Sequence, residues 1–222
     1  MKKAGAKHPY CYQYPHPAVT VDCVVFALRE EGLSLVLVQR KHDPFAGTWA
    51  LPGGFLNIAE DLDHAARREL REETGLRGLA LEQFHAFGQV GRDPRERVIS
   101  VAFFGFARTP RLRLQAGSDA AQASWFVLRR LPKLAFDHAK IIRRAQRHFR
   151  RLIQSRPILL RCLAPPFTLS AARRIYEEAI GSPLNARLFN RGLLATGWLE
   201  FCSEDPAPPR RYRLKKGGEL PF

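Results

Sequence analysis

The sequence predicts an α/β or α+β domain followed by a small basic helical unit that closes in a hairpin. Three observations support this. Between Ala18 and Leu128, short β-branched apolar runs bounded by turn residues frame a single amphipathic helix. From Phe136 onward the texture turns helical and arginine-rich. The charge also divides unevenly: residues 1–128 hold 16 Lys and Arg against 14 Asp and Glu, whereas residues 129–222 hold 20 against 7.

Ala18–Leu28 (AVTVDCVVFAL) reads as a buried strand, and Leu33–Gln39 (LSLVLVQ), beyond a Glu-Glu-Gly turn, as its neighbour. Pro52-Gly53-Gly54 breaks the pattern. A helix is predicted over Glu60–Thr74, where Leu62, Ala66 and Leu70 recur every four residues and Gly75 supplies the stop. Further strands are expected at Leu79–Phe87, Val98–Ala107 and Ser124–Leu128. Asp137 is expected to cap a helix running to about Gln154. Its apolar stripe is Ile141, Ile142, Ala145 and Phe149, and Lys140, Arg143, Arg144, Arg147, Arg150 and Arg151 occupy its other faces.

Ser155-Arg156-Pro157 and Pro165-Pro166 mark a joint, so the boundary is placed near Ser155, with one domain over 1–155 and a second over 156–222. The second is marginal in size for a unit that folds alone. Within it, Thr168 or Ser170 caps a helix over Ser170–Ile180, Gly181-Ser182-Pro183 turns the chain, and Asn185–Thr196 forms a second helix. Trp198–Cys202 and Arg211–Leu214 can then pair across the 203–209 loop.

Composition narrows the class. Of 222 residues, 45% are hydrophobic and 26% charged, which is ordinary for a globular protein and excludes disordered and collagen-like chains. No apolar run approaches the roughly 20 residues of a membrane span. The N-terminal lysines lack the apolar stretch of a secretory leader, so a soluble, cytoplasmic protein is expected. Cys11, Cys23, Cys162 and Cys202 are scattered without C-x-x-C or zinc spacing and read as reduced thiols. The net charge of +15, gathered in the second half, points to a second task involving a polyanion. A solvated basic surface without a specific partner is the plainer alternative.

The strongest chemical signal is Gly54-x5-Glu60-x7-Arg68-Glu69-Leu70-x-Glu72-Glu73-x-Gly75-Leu76. Glu69, Glu72 and Glu73 fall at i, i+3 and i+4 and so project from one side of the predicted helix. Three such carboxylates repel one another unless a cation sits among them, and hard oxygen ligands favour Mg²⁺ or Mn²⁺. The pattern is a complete match to the Nudix box, and on it the chain is identified as a member of the Nudix superfamily. The resemblance implies an α-β-α fold with a mixed sheet between helices and hydrolysis of nucleoside diphosphates linked to another group. It also implies Glu72 and Glu73 as metal ligands, Glu69 as ligand or base, and the Gly53 carbonyl in the metal shell. Glu60 and Arg68 resemble the ion pair that ties the loop to the helix. Gly53 and Gly54 let the backbone turn close to the metal. Asp93, Glu96 and Asp119 are candidates for a further acid from outside the box.

Other stretches carry a narrower likeness: TVDCVVF (Thr20–Phe26), QRKHDPFAGTWALPGGF (Gln39–Phe55), FGQVGRDPRERVISVAFF (Phe87–Phe104) and LAFDHAKII (Leu134–Ile142). Together they resemble the ADP-ribose-recognising Nudix group to which the Nudix-related regulators of NAD metabolism belong. That resemblance makes Arg40, Lys41, Arg92, Arg95 and Arg97 candidates for pyrophosphate or ribose contacts, a task suited to guanidinium forks. Some of them are expected to be plain surface charges. Phe45 and Trp49 are candidates for stacking on adenine, with core packing as the equal alternative. His42, His64 and His85 read as structural.

Helix, short turn, helix and hairpin is the order of a winged helix-turn-helix, whose second helix enters the major groove of DNA. The spaced pattern that begins with Phe167-Thr168-Leu169, passes through Ile175-Tyr176-Glu177 and ends at Leu199 resembles the DNA-binding domain of the same regulators. Gly192, however, stands where that family would carry a charge. Arg187, Arg191, Arg210, Arg211, Arg213, Lys215 and Lys216 are the candidate contacts to phosphates or base edges. The expectation is a Mg²⁺-dependent diphosphatase acting on ADP-ribose or a relative, homodimeric, with a domain that binds double-stranded DNA. Two alternatives stand beside it. One is a repressor that senses ADP-ribose with little or no turnover, and the other is a housekeeping hydrolase whose basic tail only supports dimerisation.

Overall fold

The computed structural model describes residues 12–108, 114–115, 120–202 and 209–215. Cys11, Asp119, Lys216 and most of the 203–209 loop lie outside these segments. Seven strands form one sheet: β1 (Ala18–Arg29), β2 (Gly32–Arg40), β3 (Trp49–Ala50), β4 (Gly53–Phe55), β5 (Leu81–Phe87), β6 (Val98–Ala107) and β7 (Ala120–Val127). The main order is β3-β2-β1-β6-β5, with β4 paired to β1 and β7 to β2. β1 and β6 run parallel from Ala18 opposite Val98 to Ala27 opposite Ala107, and the other pairs are antiparallel.

Successive side chains of a strand point to opposite faces, and β1 is buried on both. Val21, Cys23 and Val25 pack with Val36 and Phe103 against α1 (Leu62–Thr74), through its Ala65, Ala66 and Leu70. Val24 and Phe26 pack with Leu35 and Phe104 against α2 (His138–Ser155), through its Ile141, Ile142 and Phe149. The sheet is therefore a layer between two helices. On the α2-facing side, the polar residues Asp22 and Ser100 prolong the row of apolar side chains. Among the described residues no helix is long and apolar enough to cross a membrane.

Local departures from the sequence expectation have identifiable causes. α1 starts at Leu62, two residues after Glu60, because the Glu60 carboxylate accepts hydrogen bonds from the Asn57 backbone and side-chain nitrogens and from Arg68. The Pro52-Gly53-Gly54 break is the change of partner between β3, on β2, and β4, on β1, with Gly53 opposite Asp22. Asp137 precedes α2 but makes no side-chain cap, contrary to expectation, since its carboxylate is bound by Arg92.

After α2 come a 3₁₀ turn at Leu160–Cys162, β8 (Phe167–Thr168), α3 (Leu169–Ile180), α4 (Ala186–Ala195), β9 (Leu199–Phe201) and β10 (Arg211–Leu214). Of the two expected caps for α3, Thr168 serves, accepting from the Ala171 N–H at 3.1 Å, and Asn185 caps α4 in the same way at 3.0 Å. The three strands form an antiparallel sheet in the order β8-β10-β9. Leu159, Phe167, Ile175, Leu193 and Tyr212 belong to the same continuous apolar cluster as Phe26 and Phe149. The joint near Ser155 thus marks a change of texture along the chain, while the core runs across it.

Candidate active site

A cleft of about 330 Å³ opens over the ends of β1 and β2 and the start of α2. Gly53, Gly54, Glu69 and Glu73 line it together with Arg40, Lys41 and Arg95, and Asp22, Arg92, Asp93 and His138 are also in its wall.

The carboxylates are set by the loop-to-helix geometry. The Gly53 N–H donates to Glu73 Oε2 at 2.9 Å. Arg68 forks onto Glu60, Nε to Oε1 at 2.8 Å and Nη2 to Oε2 at 2.9 Å, and Nη2 also reaches the Phe55 carbonyl at 3.2 Å. This pair holds the Glu60 carboxyl down at about 2. Arg68 Nη1 donates to Glu69 Oε1 at 2.7 Å and to Glu72 Oε2 at 3.3 Å, so one guanidinium stands between two of the three carboxylates. Burial pushes the Glu69 carboxyl above its ordinary range, with Arg68 opposing. Glu72 does not line the cleft. It is half exposed and shared by Arg68 and Arg71. The glycines are steric requirements: a Cβ on Gly54 would lie 2.4 Å from Glu69 Oε1, and one on Gly53 would lie 2.1 Å from the Val21 carbonyl oxygen.

Among the described residues no three His, Cys, Asp or Glu side chains stand together as a ready cage for a metal. Mg²⁺ needs less, since it binds through one or two carboxylates, substrate phosphates and retained waters. Glu69 and Glu73, beside the glycine loop in the cleft wall, are hard oxygen donors that fit such an ion.

Two guanidiniums occupy the cationic part of the wall. Arg40 lies over the Phe136 ring at 4.8 Å and donates from Nε to the Pro44 carbonyl at 2.8 Å. Arg95 lies over Phe55 at 5.2 Å and is forked onto Asp93, Nε to Oδ1 at 3.0 Å and Nη2 to Oδ2 at 2.7 Å. Arg95 pulls the Asp93 carboxyl below the usual range. Burial, and then the neighbouring Arg95, lower the pKa of Arg40. Both guanidiniums stand over the Phe136 ring, Arg40 at 4.8 Å and Arg95 at 5.8 Å, and an anion between them would relieve the repulsion that Asp93 does not.

Beneath the cleft lies a buried polar network. Ser100 Oγ donates to Asp22 Oδ2 in a short bond, and Arg92 Nη2 lies 3.4 Å from the same oxygen and 2.7 Å from Asp137 Oδ1. His138 Nδ1 accepts the Leu51 N–H at 2.8 Å, which leaves the hydrogen on Nε2, 3.4 Å from Asp22 Oδ1. Burial lowers the His138 pKa, which favours the neutral ring. Arg92, expected as a ligand contact, is thus committed to two carboxylates with its side chain only 4% exposed. His138 and Asp22 are additions to the site that the sequence does not announce. Their local signals are the TVDCVVF stretch, which holds Asp22, and the LAFDHAKII stretch, which holds Asp137 and His138.

Other expected residues stand elsewhere. Trp49 packs edge-on against Phe126 at 4.6 Å beside the main core, which is the packing alternative. Phe45 meets the Phe136 ring at 4.9 Å and lines an adjoining groove with Lys140. Arg97 is exposed and turns to the Val98 carbonyl at 3.2 Å, outside the cleft. His42, read as structural, lines the cleft, whereas Glu96 lines a separate groove near Tyr14 and Ile58. Arg187 and Arg191 are exposed on α4, and Arg210, Arg211, Arg213 and Lys215 are exposed at β10. Arg213 donates to Glu200 across the hairpin, and Arg210 lies over Phe201 at 5.8 Å.

A mixed sheet between two helices, with the glycine loop laid against a carboxylate helix, is the arrangement of a Nudix domain, and the chain belongs to that family: the NUDIX domain model matches residues 16–145. The likeness extends beyond the domain. Over 202 residues the chain is 31% identical to the ADPR responsive transcriptional repressor NtrR of Acinetobacter baylyi, covering 89% of this chain and 80% of that protein. It is 43% identical over 130 residues to the ADP-ribose pyrophosphatase of Methanocaldococcus jannaschii, covering 59% of this chain and 73% of that one. The crystal structure of Shewanella oneidensis NrtR superposes with a TM-score of 0.68 at 28% identity, covering 89% of this chain and 94% of that one. NrtR has also been solved with a 27mer DNA and, as its NUDIX domain, with ADP ribose.

Proposed function

We propose that the cleft binds ADP-ribose or a closely related nucleoside diphosphate derivative and, with Mg²⁺ or Mn²⁺, hydrolyses it to AMP and a sugar phosphate. The observation that carries this reading is the cleft wall itself, in which Glu69 and Glu73 share one cavity with the paired guanidiniums of Arg40 and Arg95. Such a wall suits a diphosphate with its counter-ion. When bound, the ion supplies polarisation at phosphorus and a more acidic water. Glu73, fixed by the Gly53 N–H, and Glu69 are the residues that would hold it. Glu69, oriented by Arg68, is also placed to take the proton of the attacking water as its oxygen bonds to phosphorus and the bridging P–O bond breaks. Arg40, Lys41 and Arg95 bind and orient the phosphate oxygens. Similarity to an ADP-ribose pyrophosphatase supports this reading.

The second part of the reading is a winged helix-turn-helix over 156–222, in a homodimer that reads paired half-sites on duplex DNA. In it α4 presents Arg187 and Arg191 to the major groove. The β9–β10 hairpin is the wing, carrying Arg210, Arg211, Arg213 and Lys215. Full-length likeness to NtrR, and to NrtR solved with DNA, supports it. The same likeness favours a second reading, an ADP-ribose sensor with little turnover, and so does Arg68 lying between Glu69 and Glu72.

AMP release from ADP-ribose with Mg²⁺, measured for wild type, Glu69→Gln and Glu73→Gln, separates the two readings. Turnover abolished by either substitution supports the hydrolase. Binding of ADP-ribose without AMP release supports the sensor and overturns the hydrolase.

A further inference from the structure

α2 carries more charge than the cleft or the helix-turn-helix uses. Its 18 residues, HAKIIRRAQRHFRRLIQS, include no acid. Lys140, Arg143, Arg144, Arg147, Arg150 and Arg151 are all exposed. Lys140 Nζ donates to Gln89 Oε1 at 2.6 Å, and none of the five arginines forms an ion pair with a described residue. Glu82, beside the helix, is taken by Arg156 at 2.7 Å and faces His148 at 3.6 Å. Five guanidiniums crowded on one helix repel one another, and surfaces of this kind are relieved by a polyanion.

We infer that the outward face of α2 is a second contact surface for duplex DNA, engaging backbone phosphates beside those bound by α4 and the wing. The inference rests on the DNA-binding reading above for its partner, and on α2 alone for its surface. Ile141, Ile142, Phe149, Leu152 and Ile153 are buried in the core, so the helix has no free apolar face to lay into a lipid bilayer. Its exposed face bears no aromatic ring on which unpaired bases could stack, which disfavours single strands. Arginine forks suit phosphate oxygens, and by helix geometry Lys140 to Arg151 spans about 16 Å, room for several phosphates. The face is also continuous with the helix-turn-helix: Arg150 lines one groove with Glu178 and Gly181 at the end of α3.

The test uses the full chain, a duplex of about 30 base pairs of arbitrary sequence, and a salt titration followed by fluorescence anisotropy. Wild type is compared with Arg143→Gln/Arg147→Gln/Arg150→Gln/Arg151→Gln and with Arg187→Ala/Arg191→Ala. The expected result for the α2 variant is a loss of affinity of about tenfold or more at moderate salt, and a slope of log K against log salt shallower by about 3 to 4. Its urea midpoint stays unchanged, because the four side chains are exposed. An α2 variant that binds like wild type while the α4 variant is impaired overturns the inference and leaves the winged-helix reading standing. Impairment of the α2 variant alone upholds the inference and removes the α4 reading. Absence of DNA binding by wild type at low salt overturns both. Binding of wild type to vesicles rich in anionic lipid, lost in the α2 variant while DNA binding is unchanged, also overturns the inference and assigns the face to a membrane surface.

Discussion

Arg92 Nη2 donates to Asp137 Oδ1 at 2.7 Å and so joins the floor of the cleft to the residue that opens α2. The same guanidinium faces Asp22 at 3.4 Å, and all three side chains are less than 9% exposed. Removing the cation strands two buried carboxylates, so Arg92→Met is expected to cost about 3–5 kcal/mol in urea unfolding. Asp137→Asn added to Arg92→Met recovers part of that loss, because one stranded charge is gone. Equal stability of Arg92→Met and wild type would contradict the buried network.

The two box glycines fail differently when given a methyl group. On Gly54 the Cβ meets the tip of Glu69, which can swing away, so Gly54→Ala folds but misplaces the carboxylate. Hydrolysis is expected to fall on the order of 100-fold with little change in melting temperature. On Gly53 the Cβ meets the Val21 carbonyl at 2.1 Å, which is backbone. Gly53→Ala therefore forces β4 from β1 and costs about 1–3 kcal/mol. Paired melting and AMP-release assays distinguish the two.

Glu60 gives a pH signature. Its carboxyl is held at about 2 by Arg68, below the ordinary 4.5. The bridge therefore stabilises the fold fully above about pH 4.5, and its contribution is lost as pH falls through about 2. Glu60→Gln lowers the melting temperature at pH 7 and flattens its fall between those two values. Parallel melting curves for the two proteins across that window would remove Glu60 as a source of acid sensitivity.

Gly192 sits in the interior of α4, and a Cβ there meets nothing within 4 Å. Gly192→Ala is expected to stabilise the protein by about 1 kcal/mol, read as a higher urea midpoint. A lower midpoint would show that another group uses the open space above Gly192.

The parts of the site that were legible in the sequence are those whose geometry is local. Gly54, Glu60, Arg68, Glu69 and Glu73 meet through one loop and one helix, so their spacing encodes their proximity. The floor network was not legible, because Asp22, Arg92, Ser100 and His138 meet only once β1 pairs with β6 and α2 packs over the sheet. Trp49 shows the same limit. An aromatic beside a turn has no periodicity to reveal its direction, and its contact with Phe126 depends on the sheet's order of strands. Strand positions followed from β-branched runs. The shared core did not, since nothing in the chain near Ile158 and Leu159 signals that they join the cluster containing Phe26.

The most direct test of the cleft is calorimetric titration of the methylene-bridged analogue of ADP-ribose, which the proposed reaction cannot cleave, into the protein with and without Mg²⁺, repeated for Arg95→Ala and Glu73→Gln. The expected result is saturable binding at one site per chain, strengthened by Mg²⁺, weakened about tenfold or more by Arg95→Ala, and no longer responsive to Mg²⁺ in Glu73→Gln. Binding unaffected by either substitution, or no binding at all, would contradict it.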